Sequence, residues 1–142
     1  MSGDTNSDIQ PLILVVEDHH ETQVFLNIAL GDDYIVHTAT NAAEAFEKTA
    51  EHNYGLLLVD IALRDKVDGL QFVEQLRQQS LYATTPIIAM TAHQLREERS
   101  YYIEHGFDEY LPKPFFPQEL FDTIERLLDE VENKHTDQPP AP

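Results

Sequence analysis

The sequence predicts an α/β protein built on a doubly wound parallel sheet of five strands, and three observations support this. Short apolar runs without polar alternation occur at residues 12–16, 56–59 and 86–90, and such runs are typical of strands covered on both faces. Segments with apolar residues at helical spacing separate these runs. The connections are too long for hairpins, so each strand is expected to reach its neighbour through a crossover helix.

The start of the chain is expected to form two strands and one helix. After the strand at residues 12–16, a helix is predicted over residues 21–30, whose apolar positions are Val24, Phe25, Ile28 and Ala29. Gly31 and two aspartates then end this helix. The second strand, at residues 34–39, is more polar than the first, as is typical of an edge strand.

The middle of the chain supplies two helices and the third strand. Asn41 followed by Glu44 is a capping-box pattern that opens the second helix. The third strand runs through residues 56–59 into Asp60. A polar loop at residues 64–69 precedes the third helix, whose apolar stripe consists of Leu70, Phe72, Val73 and Leu76.

The last part of the chain is expected to add two strands and two helices. The fourth strand is predicted at residues 86–90 and the fourth helix at residues 94–104, which ends before Gly106. The fifth strand is the short segment 109–111. The fifth helix begins near Pro117, because proline is favoured in the first helical turn.

Length and composition bound the class of protein. The 142 residues suit one domain, expected at residues 11–132 between a disordered leader (1–10) and a flexible tail (133–142). No apolar stretch approaches the ~20 residues of a membrane-spanning helix. The polar start is neither a signal peptide nor a transit peptide. With no cysteine there is no disulfide framework, so a cytoplasmic location is expected.

The net charge of −17 argues against direct binding to nucleic acid and to anionic membranes, because both need clustered lysine and arginine. Carboxylates are so common in this chain that only their positions are informative. The informative ones follow the predicted strands, where Glu17, Asp18 and Asp60 end the first and third. Thr91 and Lys113 follow the fourth and fifth. The carboxyl ends of parallel strands share one edge of a sheet, so these five residues are expected to meet there.

Three converging carboxylates would favour a divalent cation between them. Ligation by oxygen alone indicates Mg²⁺, Mn²⁺ or Ca²⁺ rather than zinc, and Mg²⁺ fits best because it retains water and takes phosphate oxygens readily. Lys113 as a point charge and Thr91 as a hydrogen-bond donor complete a pocket for a tetrahedral dianion.

Four motifs in colinear order carry a family resemblance. They are Val-Val-Glu-Asp at 15–18, Leu-Val-Asp at 58–60, Ala-Met-Thr-Ala at 89–92 and Tyr-Leu-Pro-Lys-Pro-Phe at 110–115. With these motifs the chain resembles the receiver domain of two-component response regulators, as found in single-domain chemotaxis receivers. The resemblance covers residues 13–128. It implies the flavodoxin-like (βα)5 fold with strand order 2-1-3-4-5.

The resemblance implies a role for each acidic residue of the predicted site. Asp60 would accept a phosphoryl group from a sensor histidine kinase, a histidine phosphotransfer protein or a small phosphodonor. Asp18 and Asp60 would bind Mg²⁺ directly, together with the backbone carbonyl of Ala62, and Mn²⁺ could substitute. Glu17 would hold a metal-bound water or bind the ion itself. The domain would catalyse its own Mg²⁺-dependent phosphorylation and dephosphorylation without being a conventional enzyme.

The resemblance also implies how the phosphoryl group is bound and read. Lys113, Thr91 and the amide of Ala92 would contact its oxygens, and a cis Lys113–Pro114 bond would aim the lysine inward. Thr91 and Tyr110 would act as switch residues that change the surface of the fourth helix, fifth strand and fifth helix for a downstream protein target. The alternative for Tyr110 is a half-buried aromatic side chain that never moves.

The chain departs from the family pattern in two places, and it has two histidines next to the acidic pair. The loop at residues 63–69 lacks the usual proline and is one residue longer, and Ala62 and His93 occupy positions that tune dephosphorylation in the family. His19 and His20 are expected to be solvated residues at the start of the first helix rather than metal ligands.

A stand-alone receiver is the favoured interpretation, since the tail is too short for an output domain. A receiver taken from a hybrid kinase is one alternative. A metal-dependent phosphohydrolase is another, but such enzymes need a second acid two residues after the nucleophile, where this chain has Ala62. A degenerate receiver that serves as a structural adaptor is the third, and the presence of all five site residues argues against it.

Overall fold

The structure is a computed structural model that describes residues 10–92 and 99–137. Its five strands form one parallel sheet in the order β2-β1-β3-β4-β5, so the predicted fold class and strand order are confirmed. Each strand lies within one residue of its predicted bounds. The strands are β1 (Leu12–Val16), β2 (Ile35–Ala39), β3 (Leu56–Asp60), β4 (Ile87–Thr91) and β5 (Glu109–Pro112).

Helices follow the strands in alternation, as a doubly wound sheet requires. They are α1 (His20–Leu30), α2 (Ala42–Glu51), α3 (Gly69–Leu76), α4 (Arg99–Glu104) and α5 (Pro117–Asp137). A short 3₁₀ helix at Ser80–Tyr82, between α3 and β4, is an addition to the predicted elements.

The sheet separates two apolar cores. Alternate residues of a strand point to opposite faces, so β1 sends Leu14 and Val16 into one core and Ile13 and Val15 into the other. The first core packs against α2, α3 and α4, and the second against α1 and α5. The central strands are therefore buried on both faces, which explains their uninterrupted apolar runs.

Side-chain caps fix the starts of α2 and α3. Asn41 accepts a hydrogen bond from the Glu44 amide (2.8 Å), as predicted, although the Glu44 carboxylate accepts from the Thr40 amide (2.7 Å) instead of that of Asn41. Asp68 and Gln71 form a complete capping box on α3. This box anchors the end of the polar loop that follows the predicted acceptor strand.

The helix ends differ in part from expectation. The predicted start of the fourth helix, at residue 94, lies outside the described residues, and α4 is followed by Gly106 with φ of 104°. Helix α5 continues to Asp137, so residues 133–137 of the predicted tail are helical. No proline interrupts this stretch before residue 139, so nothing in the chain stops the helix earlier. The predicted leader lies outside the described residues except for Gln10.

Across the described ranges, no helix combines the length and the apolar character needed to cross a membrane.

Candidate functional site

Acidic side chains from two neighbouring strands converge at the carboxyl edge of the sheet, as predicted. Glu17 and Asp18 follow β1, Asp60 ends β3, and one ligand atom from each of them and from His19 lies within 4.8 Å of the others. Glu17 and Asp60 are buried, with 0% and 2% of their surface exposed. Like charges held this close repel one another, so the cluster needs a positive partner.

Lys113 supplies positive charge within the site. Its Nζ lies 2.7 Å from Glu17 Oε1 and 3.6 Å from Asp60 Oδ2. The Lys113 amide donates to the carbonyl of Thr91 at 2.7 Å, which fixes the turn after β5 against β4. The Lys113–Pro114 peptide bond is cis, as the resemblance implies.

The Asp60 carboxylate accepts a hydrogen bond from the Ala62 amide, and its neighbours act on its pKa in opposite directions. Burial raises the pKa of Asp60, and the negative charge of Glu17 raises it further, against the lowering effect of Lys113 and the Ala62 amide. That amide donates to Oδ1 at 3.0 Å, so Oδ2 is the oxygen on the Lys113 side. A bound cation would favour the ionised form of this carboxyl group.

Asp18 is held by the loop that follows β3. Both the amide and Nε of Arg64 donate to Asp18 Oδ2, at 3.0 and 3.3 Å. Burial alone would raise the pKa of Asp18, but these bonds and the charge of His19 hold it below its ordinary value. Oδ1 is buried and makes no hydrogen bond within the described part of the chain, although His19 Nδ1 lies 3.1 Å away.

His19 and Arg64 are the two site residues that the sequence analysis missed. His19 is exposed, as expected, but its Nδ1 also lies 3.1 Å from both Glu17 Oε2 and Asp18 Oδ1, and its amide donates to Glu17 Oε2. The side chain of His19 is about half exposed. His20 is exposed at the start of α1, as expected. Adjacency to the acidic pair was the only signal for His19.

The remaining predicted site residues lie at the same edge or on β5. Thr91 is buried at the end of β4, opposite Pro112 in the sheet, and Ala92 follows it on the surface. Tyr110 is half-buried on β5, and its ring stacks on buried Tyr102 with centroids 4.9 Å apart. His93 lies outside the described residues.

A groove of about 530 Å³ opens beside the acidic cluster. Phe25 of α1 and Phe115 after β5 line it with apolar surface, with ring centroids 6.2 Å apart, and Lys113 and Ala92 are also among its lining residues. Phe116 is 76% exposed next to the groove. A bound macromolecule could therefore reach the site from this side.

The donor set fits a hard divalent cation. Three carboxylates meet in one place, and the buried oxygen Asp18 Oδ1 lacks a hydrogen-bond donor among the described residues. Oxygen ligands of this kind, with water in the remaining positions, are what Mg²⁺ prefers. The hydrogen bond from the Ala62 amide to Asp60 keeps Ala62 beside the cluster. This position is consistent with the prediction that the Ala62 carbonyl is a ligand of the cation.

A family comparison matches most of the chain. The model of the response regulator receiver domain matches residues 13–125. The transcriptional regulatory protein SrrA of Staphylococcus aureus is 33% identical over 127 residues, which are 89% of this chain and 51% of SrrA. The chain thus spans about half the length of the curated relatives it matches.

Solved structures of response regulator receivers are also similar to this chain. The chemotaxis response regulator CheY4 of Vibrio cholerae is 28% identical with a TM-score of 0.77, covering 84% of this chain and 99% of CheY4. The receiver domain of the sensor histidine kinase PA1611 of Pseudomonas aeruginosa is 29% identical with a TM-score of 0.77, covering 85% and 99%. That structure holds a magnesium ion coordinated in its active-site cleft.

Proposed function

This chain belongs to the response regulator receiver family, and we propose that it is a phosphorylation-dependent signalling switch with Asp60 as the acceptor. The observation that carries the proposal is the surroundings of Asp60. This carboxylate is almost fully buried at the end of β3, beside the Glu17–Asp18 pair and 3.6 Å from the ammonium group of Lys113. Phosphoryl transfer needs positioning and charge neutralisation above all, and this arrangement supplies both.

The two carboxylate oxygens of Asp60 have different neighbours, and this difference indicates which of them attacks the phosphoryl group. The Ala62 amide fixes Oδ1, and we assign Oδ2 as the nucleophile because it lies on the Lys113 side. Oδ2 attacks phosphorus, the bond from phosphorus to the donor nitrogen or oxygen breaks, and its electron pair leaves with the donor. Lys113 neutralises a phosphoryl oxygen, and the Thr91 hydroxyl and the Ala92 amide donate to others.

Glu17, Asp18, Asp60 and the Ala62 carbonyl would hold Mg²⁺, with Mn²⁺ as a possible substitute. Bound there, the cation would neutralise charge on the transferring phosphoryl group. A magnesium ion in the cleft of the PA1611 receiver supports this assignment. The domain would promote its own phosphorylation and dephosphorylation in this way, without being a conventional enzyme.

The output face is the surface formed by α4, β5 and α5. Glu109 of β5 pairs with Arg99 of α4 (2.6 Å) and with Arg126 of α5, so one carboxylate links the three elements. Thr91 and Tyr110 are the proposed switch residues, and a change of the Tyr110 ring would alter the same strand that carries Glu109. This linkage supports a signal read through protein contact by a downstream target.

The phosphodonor is proposed to be a sensor histidine kinase or a histidine phosphotransfer protein. Such a partner would cover the groove beside Lys113, since Phe25, Phe115 and Phe116 present apolar surface next to the acceptor site.

Mass spectrometry of the intact protein tests the proposal. Incubation with acetyl phosphate and Mg²⁺ should add one phosphoryl group to the wild type and to Asp65→Asn, which removes an exposed carboxylate from the neighbouring loop. The adduct should be absent in Asp60→Asn and in wild type treated with a chelator. Rapid hydrolysis of many phosphomonoesters would support a phosphohydrolase instead. No adduct with any donor would support a structural adaptor, and both results would overturn the switch.

A further inference from the structure

Arg64 occupies one of the carboxylates that the proposed cation would use. Its amide and its Nε both donate to Asp18 Oδ2, at 3.0 and 3.3 Å, across 46 positions of the chain. The guanidinium therefore places a positive charge on the Asp18 side of the acidic cluster, while Lys113 does so on the Glu17 side. The acidic cluster therefore has a positively charged side chain next to each of these two carboxylates.

The side chain of Arg64 can leave this position at little cost. It is 73% exposed, whereas the side chain of Asp18 is only 12% exposed. An ion pair with one such exposed partner is weak and exchanges readily with solvent. Lys113, by contrast, is only 16% exposed and stays in the site.

The loop that carries Arg64 is attached to the site at both ends. At its start, the Arg64 amide bonds Asp18, and at its end the Gly69 amide donates to the carbonyl of Ile61 at 3.2 Å. A change at Asp18 therefore acts on a short segment whose other end is hydrogen-bonded to Ile61, directly after β3. Lys66 and Asp65 lie on the exposed part between these anchors.

We propose that Arg64 competes with the divalent cation for Asp18, so that cation binding releases the guanidinium and changes the exposed loop at residues 63–69. The guanidinium is hydrogen-bonded to Oδ2 of the same carboxylate whose Oδ1 makes no hydrogen bond among the described residues, so its positive charge would oppose a cation held by Asp18. Arg64 contacts no reacting atom and acts through Asp18, which makes it a positioning residue. This inference rests on the proposed function, because it assumes a cation at the cluster.

Mg²⁺ titration by calorimetry tests the competition on the full chain. Arg64→Ala should lower the Kd for Mg²⁺ about two- to fivefold, the range expected from removing a weak exposed competitor. Arg64→Lys should return the Kd toward the wild-type value because it restores the charge. Lys66→Ala is the matched control, since it removes the same charge from the same loop and its side chain has no ion pair among the described residues. Its Kd should stay close to that of the wild type.

A spectroscopic measurement reports on the guanidinium itself. In ¹⁵N-labelled protein, the Arg64 Nε–H signal, assigned by its loss in Arg64→Lys, should shift and exchange faster with solvent as Mg²⁺ saturates the site. An unchanged signal, or a Kd that is unchanged or higher in Arg64→Ala, would overturn the competition while leaving the proposed function intact. Absence of Mg²⁺ binding in the wild type and in all variants would overturn the proposed function and this inference together.

Discussion

Lys113 Nζ lies 2.7 Å from Glu17 Oε1, although 96 positions separate the two residues in the chain. Glu17 follows β1 and Lys113 follows β5, strands that two others separate in the sheet. Glu17 is fully buried, and Lys113 places an opposite charge within hydrogen-bond distance of its carboxylate. The pair also places the ammonium group 3.6 Å from Asp60, where the phosphoryl group would arrive.

Replacing Lys113 should therefore stop efficient phosphorylation. We expect Lys113→Met to slow adduct formation with acetyl phosphate by about 100-fold, because a fixed cation at the reacting group is lost. The rate is measured by intact-protein mass spectrometry over time. Lys66→Met, which removes a charge from the exposed loop, should leave the rate near that of the wild type. A Lys113→Met rate equal to the control would show that this lysine has no part in transfer.

Gly69 should not tolerate a side chain. A Cβ at this position would lie 2.3 Å from the Asp60 carbonyl oxygen and 2.9 Å from the Ile61 Cα, both backbone atoms of the acceptor strand region. We expect Gly69→Ala to lower the free energy of unfolding by about 2 kcal/mol and to slow phosphorylation, since the backbone around Asp60 must shift.

Gly55→Ala is the matched control for this substitution, because its Cβ would meet only the Leu12 carbonyl oxygen at 3.7 Å. Its free energy of unfolding in urea should stay within about 0.5 kcal/mol of the wild type. Equal effects of the two substitutions would contradict the predicted contact at Gly69.

Arg77 connects three segments at the amino edge of the sheet. Its guanidinium donates to the carbonyls of Tyr82, Thr85 and Gly106 and to the carboxylate of Asp108, at 2.6–2.9 Å. We expect Arg77→Ala to lower the free energy of unfolding by about 2–3 kcal/mol, because several part-buried acceptors lose their donor.

Urea denaturation measures this loss. The exposed neighbour Gln78 provides the control, and Gln78→Ala should change the stability by no more than about 0.5 kcal/mol. Phosphorylation of folded Arg77→Ala should proceed as in the wild type, because Arg77 lies away from the acidic cluster. A stability close to that of the control would mean that the carbonyl groups are satisfied without Arg77.

The Glu109 network should make stability depend on pH. Burial alone would raise the pKa of Glu109, but the bonds from Arg99 and Arg126 outweigh it and lower the pKa below the ordinary 4.5. Because the folded pKa lies below the unfolded one, the network stabilises the fold above pH 4.5 and loses this effect as pH falls further.

Substitution of Glu109 measures how much its ion pairs contribute to stability. Glu109→Gln should lower the free energy of unfolding by about 1 kcal/mol near neutral pH, since both arginines are partly exposed, and the difference should shrink below pH 4.5. Glu130→Gln is the control, because Glu130 is 55% exposed and its ion pair with Arg126 joins residues four positions apart on α5. A difference that is constant from neutral to acidic pH would contradict the network.

The fold was predictable because its signals are local. Each central strand is an apolar run that ends at or just before a polar residue, α2 and α3 begin at side-chain caps, and α5 begins at Pro117. The end of α5 was not predictable in this way. Residues 133–137 are polar but contain no helix breaker, so composition suggested a loose tail where the helix continues.

The site was predictable to the extent that strand ends determine it. Glu17, Asp60 and Lys113 meet because parallel strands bring their carboxyl ends to one edge. The contact of Arg64 with Asp18 depends on the path of an irregular loop, and the position of the His19 ring depends on the turn into α1. Neither path follows from residue types or spacing.

The identity of the modified residue tests the proposed function most directly. After phosphorylation with acetyl phosphate and Mg²⁺, borohydride reduces an aspartyl phosphate to an alcohol and so converts the modified aspartate to homoserine. Tandem mass spectrometry of the digested protein should find homoserine at position 60 and at no other position. Homoserine at position 18 or 65 with Asp60 unchanged would contradict Asp60 as the acceptor.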